Sequence, residues 1–296
     1  MNPAAERTIG NLAQLACTWE VLARKVGNVC PGREFPDLTV NDFLVSAAAI
    51  APVLEQAPHQ PLGVTILRCI EETREVVNTN TNLGIVLLLA PLASVPLDQP
   101  LMPGLSQVLA RTTVEDSRNV YAAIRLAKPG GLGEVKDQDV RDEPTLPLRD
   151  VMALAKNRDL IAAQYGDDYE LMLECMVPDL TQRFEYRKNI EQAIVESQIA
   201  FLVVWPDSHI VRKCGAAEAS HVKRSALQIL LHDAFEKQAY RDFDTWLRSD
   251  NHARNPGTTA DLIAAALFIA LRENQIAPDT PFTWTNHPFQ SSEPEA

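Results

Sequence analysis

The sequence lacks the patterns that mark several common classes of protein. Its five cysteines, Cys17, Cys30, Cys69, Cys175 and Cys214, are scattered and form no Cys-x-x-Cys pair. Neither a zinc site nor a disulfide framework is indicated, and such thiols fit a reducing compartment as small apolar residues. Basic residues are the minority: 27 Lys and Arg stand against 39 Asp and Glu, for a net charge of −12. A general binder of nucleic acid or of a membrane surface needs the opposite field. An anionic ligand must therefore be met by a local cationic patch. The longest apolar runs, residues 83–97 and 262–271, are too short or too broken by proline to span a bilayer, which takes about 20 residues. The start, MNPAAERTIGNLAQLA, lacks the plan of a signal peptide. The expectation is a soluble cytoplasmic protein. No G-x-S-x-G, Walker A or HExxH motif occurs. His221 and His232 stand eleven residues apart without a third spaced ligand, which is no metal signature.

What is present is helical period. With 296 residues, 46% of them hydrophobic, the chain can build a sizeable core. The stretch IGNLAQLACTWEVLARKVG puts Leu12, Leu15, Ala16, Trp19, Leu22 and Ala23 on one face. VNDFLVSAAAIAPVLEQA, with Asn41 or Asp42 near its start, and GVTILRCIEETREVV read the same way. VEDSRNVYAAIRLAKPGG runs from an acidic first turn to a Gly-Gly stop. The segment 146–176 is one broken helix or two, and PDLTQRFEYRKNIEQAIVESQIAFLVVW continues as a long helix, absorbing the strand-like AFLVVW as its buried end. NPGTTADLIAAALFIALREN closes the series, with Thr258 or Thr259 as N-cap and Asp261 in the first turn. The expected fold is all-α: one multi-helix bundle over residues 1–276, of about eight to ten helices, followed by a polar tail over 277–296. The loops at 24–40 and 129–146 are long, and long loops in compact domains tend to be functional.

Residues 77–93, VNTNTNLGIVLLLAPLA, bring Asn78, Asn80 and Asn82 to the mouth of an apolar helix. A helix apolar all round is buried, and its start needs partners for free N–H groups. Asparagine supplies caps, and the helix dipole favours anions there. Three amides exceed what capping needs, which points to a polar pocket for a sugar, base or phosphate. Other stretches share this character. RKVGNV carries Arg24, Lys25 and Asn28 around Gly27, a flexible cationic turn. KPGGLGEVKDQDVRDEP has Gly130, Gly131 and Gly133, then Asp137, Asp139 and Asp142, carboxylates of the kind that hold magnesium together with phosphates. NRDLIAAQY joins Arg158 to Asp159, and WPDSHIVRKCG sets Asp207, Ser208, Arg212 and Lys213 in one loop. Arginine can take phosphate in bidentate fashion and lysine as a point charge.

Taken in order, KVGNV, NTNLGIVLLLAPLA, VYAAIRLAKPGGLG, NRDLIAAQY, PDSHIVRKCG and NPGTTADLIAAALF resemble the triphosphoribosyl-dephospho-CoA synthase family over roughly residues 10–275. The resemblance implies an all-helical, ATP-dependent enzyme. It moves the triphosphoribosyl part of ATP to the ribose 2′-hydroxyl of dephospho-CoA and releases adenine, making a prosthetic-group precursor. It also implies magnesium, with ATP and dephospho-CoA as small-molecule partners, no nucleic acid or membrane partner, and room for a homodimer. The reaction needs cations for the triphosphate, a base for the hydroxyl and a proton or hydrogen bond for departing adenine. The candidates are Lys25, Arg212 and Lys213 for phosphates, and Asn28, Asn80, Asn82, Gly131, Arg158 and Ser208 as further substrate contacts. Asp139, Asp159 and Asp207 are the candidate catalytic carboxylates, Asp139 and Asp207 also as magnesium ligands. Two departures from the family pattern stand out. Val26 replaces a frequent proline, and NTNLG replaces NTHKG, so that Asn82 stands where the citrate-lyase branch has histidine. This places the chain with an archaeal-like branch. It leaves open a related ribosyl transfer in pterin-type one-carbon cofactor synthesis, or a metal-dependent nucleotide phosphohydrolase.

Overall fold

The computed structural model describes residues 7–284, except 131, 132, 134 and 232–236. The described residues form fourteen α-helices and no strand. In chain order these are α1 (Ile9–Leu22), α2 (Val40–Glu55), α3 (Leu62–Val76), α4 (Leu83–Ala93), α5 (Leu101–Ala110), α6 (Val114–Ala127) and α7 (Leu148–Ala155). They continue with α8 (Leu160–Gly166), α9 (Val177–Arg187), α10 (Ile190–Val204), α11 (Ser208–Cys214), α12 (Ala216–Leu231), α13 (Lys237–His252) and α14 (Gly257–Arg272).

The all-α expectation holds, with more and shorter helices than expected. The long helix expected over 178–205 is two. Lys188 takes a left-handed φ of 53°, and Asn189 restarts the chain by accepting from Gln192 N at 2.9 Å. The asparagine in RKNIEQ is thus an N-cap. The stop after α6 comes at Lys128, with φ 51°, before either glycine of the Gly-Gly pair. Helix α2 begins at Val40, and its cap is Thr39, which forms a capping box with Asp42.

Two helices make the centre. Ten of the eleven residues of α4 are buried, all but Gly84, and α14 is buried without interruption from Leu262 to Arg272. Helix α14 packs against α1, α4, α8, α9, α10 and α11. A helix apolar on every side has no solvent face and must lie inside the bundle. Leu88 and Leu89 of α4 are fully buried, so Leu88→Ala should destabilise by about 2–5 kcal/mol. Pro91 inside α4 lacks an amide and so leaves the carbonyl of Leu87 unpaired in its own helix. Buried Tyr165 donates its hydroxyl to that carbonyl at 2.6 Å, and Tyr169 donates to Leu88 O at 2.9 Å. At the far end of α14, buried Arg272 donates to the carbonyls of Val95 and Pro96 at 2.7 and 2.8 Å. The beginnings of α4 and α14, by contrast, border an open cavity.

Candidate active site

A cavity of about 470 Å³ opens where the starts of α4, α8 and α14 meet the end of α6, the loop after it, and α11. Its size is that of a small-molecule site. Three helix starts facing one space favour negative charge there. Apolar residues form part of the wall, among them Leu38, Phe43, Val151 and Leu154.

The asparagine run is at this mouth. Asn80 and Asn82 both line the cavity. Asn80 also caps α4 by accepting from Leu83 N at 3.2 Å. Asn82 donates to Thr73 Oγ1 at 2.9 Å, while its own side-chain oxygen is buried without a partner. Two more such atoms lie on the same wall: Nε2 of His209 and Nε of Arg212. Buried polar atoms are normally satisfied, so three orphans on one wall mark a place for a polar ligand or water. Burial, with Lys213 and Arg212 adding to it, pushes the His209 pKa down to about 4, so the ring is neutral at pH 7.

Several expected residues meet here. Asn28, Asp139, Arg158, Asp159 and Arg212 line the cavity with the asparagines. Asp159 caps α8, accepting from Ile161 N and Ala162 N, and its other oxygen receives Arg212. Lys213 is exposed and lies beside Gly130 at the rim, its Cε 3.5 Å from where a Cβ at that glycine would stand. Gly131 falls outside the described residues.

Three expected residues are placed elsewhere. Lys25 is fully buried, with its ammonium 2.9 Å from Glu20 Oε1 and bonded to the carbonyl oxygens of Glu20 and Ala23. It holds a carboxylate and does not reach the cavity wall. Asp207 is buried as a cap for two helices, and Ser208 Oγ accepts from Leu160 N at 2.9 Å to tie α11 to α8. The turn around Gly27 is bolted rather than flexible. Gly27 N donates to Asp244 Oδ1 at 2.7 Å, Gln198 holds both N and O of Val26, and Arg24 pairs with buried Glu191. These bonds fix Asn28, whose amide donates to Asn255 Oδ1 at 2.6 Å. The expected caps of α14 are corrected as well. Neither threonine caps it; Asp207 does so from a distance, accepting from Thr259 N and Oγ1 at 2.7 and 2.8 Å.

Two cavity carboxylates were not singled out for chemistry in the sequence. Glu20 sits near the end of α1 and is 4% exposed. Asp261 lies in the second turn of α14, where it reads as a helix-start charge. No local spacing joins them. Only the contact of α1 with α14 does. The sole sequence hint is Gly84, where a Cβ would stand 2.0 Å from Asp261 Oδ2.

The residues present do not fit the expected magnesium pair. Asp139 accepts from Val135 N and Arg141 N at 2.9 Å each, and from the Arg141 guanidinium at 2.8 and 3.0 Å. The Arg141 contact first, then those amides, holds its carboxyl well below the usual range. Asp207 is away from the cavity with both oxygens committed. Among the described residues, no three His, Cys, Asp or Glu side chains cluster to hold a metal ion. No step below is routed through one.

The fold and cavity define an all-α protein with a polar site of nucleotide size at converging helix ends. A family model described as CitG: ATP:dephospho-CoA triphosphoribosyl transferase matches residues 6–279. The chain belongs to this family and is an enzyme of the triphosphoribosyl transferase class. It is similar to a crystal structure from Archaeoglobus fulgidus, provisionally designated a triphosphoribosyl-dephospho-CoA synthase. The identity is 28% and the TM-score 0.64, over 79% of this chain and all of the other. No curated protein matches the chain. Among the described residues no helix is long and apolar enough to cross a membrane.

Proposed function

We propose that this cavity carries the family's reaction with ATP as donor and dephospho-CoA as acceptor. The observation that supports this reading is the meeting of Asn80, Asn82, Arg158 and Arg212, from three separate stretches of chain, on one wall. The triphosphate lies at the rim, against Arg158, Arg212 and Lys213 and towards the helix starts. The donor ribose lies against the asparagines, where a hydroxyl donates to the orphaned oxygen of Asn82. The apolar wall around Phe43 and Leu154 takes the pantetheine arm of the acceptor. The acceptor 2′-hydroxyl then displaces adenine at the anomeric carbon.

The test is a chromatogram. Purified protein with ATP, magnesium and dephospho-CoA should release free adenine. If no adenine forms with dephospho-CoA or with any of several other nucleoside acceptors, the transfer reading fails. Adenine formed only with a pterin nucleoside would keep the transfer and replace the acceptor, an outcome the NTNLG departure makes worth including. Phosphate without adenine would mean a phosphohydrolase.

A further inference from the structure

We propose that Asp261 is the general acid that gives a proton to the departing adenine. The inference rests on the transfer reading above and assigns one step within it.

Asp261 differs from every other buried or half-buried carboxylate on the cavity wall. Glu20 is paired with Lys25 at 2.9 Å, Asp139 with Arg141 at 2.8 Å, and Asp159 with Arg212. Asp261 has no hydrogen-bond or ion-pair partner among the described residues, although it lines the same cavity. Its surroundings raise its proton affinity. Burial comes first, then the negative charge of Glu20 and of Asp207, with Asp159 adding a little. Arg212 alone among these neighbours opposes them. The groups facing it are thus Glu20 of α1 with Lys25 behind it, Asp207 and Arg212 at α11, and Asp159 at α8. Neutral His209 shares the wall. Two carboxylates in one site, one held by a cation and one left without, are the arrangement that separates an acid from a base. The packing confirms that the place is made for this side chain. Its Oδ2 occupies the space that a Cβ at residue 84 would need, and α4 carries Gly84 there.

The chemistry requires such a group. Adenine is a poor leaving group as an anion and a far better one once a ring nitrogen is protonated. In the step, the C1′–N9 bond breaks and its electron pair stays on N9. The acidic proton of Asp261 passes to N7 or N3, so adenine leaves neutral. The acceptor oxygen forms the new bond to C1′, and its proton passes to the Glu20 carboxylate. Return of that proton from Glu20 to Asp261 restores both residues between turnovers. No oxidant, reductant or further reactant is needed.

The experiment pairs Asp261→Asn with ATP analogues in which one ring nitrogen is replaced by C–H: 7-deaza-ATP and 3-deaza-ATP. Asp261→Asn should lower kcat with ATP by about 10²- to 10⁴-fold while leaving ATP binding close to wild type and unfolding at no lower a temperature than wild type. With one of the two analogues, wild-type enzyme should fall to the level of the variant, and the variant should lose nothing further. A merely structural Asp261 would not produce that non-additivity. The wild-type protein gives a second readout if the variant folds badly. Its kcat with ATP should decline as pH rises, and that decline should vanish with the same analogue. The inference is overturned if Asp261→Asn keeps wild-type kcat, or if the losses multiply with both analogues, or if the wild type tolerates both. Those results appear in an enzyme that does release adenine. Failure of the transfer reading shows instead as no adenine from the wild type at all.

Discussion

Asp207 and Asp261 both sit at the beginning of α14, and both are pushed above the usual carboxylate range first of all by burial. They differ in their partners. Asp207 Oδ1 accepts from His209 N and Ile210 N at 2.9 and 3.1 Å, and its Oδ2 accepts from Thr259 N and Oγ1 at 2.7 and 2.8 Å. It closes the starts of α11 and α14 together. Asp261, one turn further into the cavity, has no such partner among the described residues. A buried polar group that is fully met is holding the fold, because leaving it unmet costs about 1–3 kcal/mol. One left unmet beside an open cavity keeps its capacity for a ligand. The same division separates Lys25, spent on Glu20, from Lys213, exposed at the rim.

The contrast can be broken in graded ways. The largest effect belongs to Asp261→Asn, a loss in kcat equivalent to about 3–5 kcal/mol of barrier with no loss of fold. Asp207→Ala should do the reverse. Four hydrogen bonds disappear, and urea unfolding should show a loss of about 2–4 kcal/mol. If Asp207→Ala unfolds like wild type, saturation is not what distinguishes the two residues. Gly84→Ala should act first on Asp261, since the new Cβ would stand 2.0 Å from its Oδ2, with Ile161 Cδ1 the next neighbour at 2.8 Å. A displacement of that kind should cost about 10²-fold in kcat, measured beside an unchanged circular dichroism spectrum. Lys213→Ala should weaken ATP binding by about 1–3 kcal/mol in calorimetry. Unchanged affinity would move Lys213 out of the site. The smallest effect is on stability against pH. Asp261 in the folded state holds its proton more tightly than an exposed aspartate with its value of 3.8. Ionisation therefore costs folding stability, and the loss grows as pH rises from about 4 through the folded value. Asp261→Asn removes that loss. Its Tm should exceed that of wild type near neutral pH and converge with it in acid.

Much of the site could be read along the chain. Asn80 and Asn82 stood out because side-chain amides at the mouth of an apolar helix exceed its capping needs, and both reach the cavity. The loop after α6 stood out by its glycines and carboxylates, and Gly130, Gly133 and Asp139 line the same space. Lys25 was misplaced because a cation in a sequence does not say which anion it will meet. Here a glutamate five residues earlier reaches it first. The long helix over 178–205 was misread because the apolar period survives the break at Lys188, and only a left-handed φ interrupts it. The Thr258 and Thr259 caps were misread because the true cap comes from Asp207, 52 residues away in sequence from Thr259.

The sequence by itself determined an all-helical bundle, since apolar period is a local property that burial rewards wherever the helix docks. It determined the family as well, through blocks of amides, glycines and cations at helix ends. Only the tertiary structure decided which charged groups face the ligand and which face each other. A carboxylate becomes an anchor or a reagent according to whether a partner lies within hydrogen-bond reach: Asp207 meets Thr259 of a helix distant in sequence, and Asp261 meets none among the described residues.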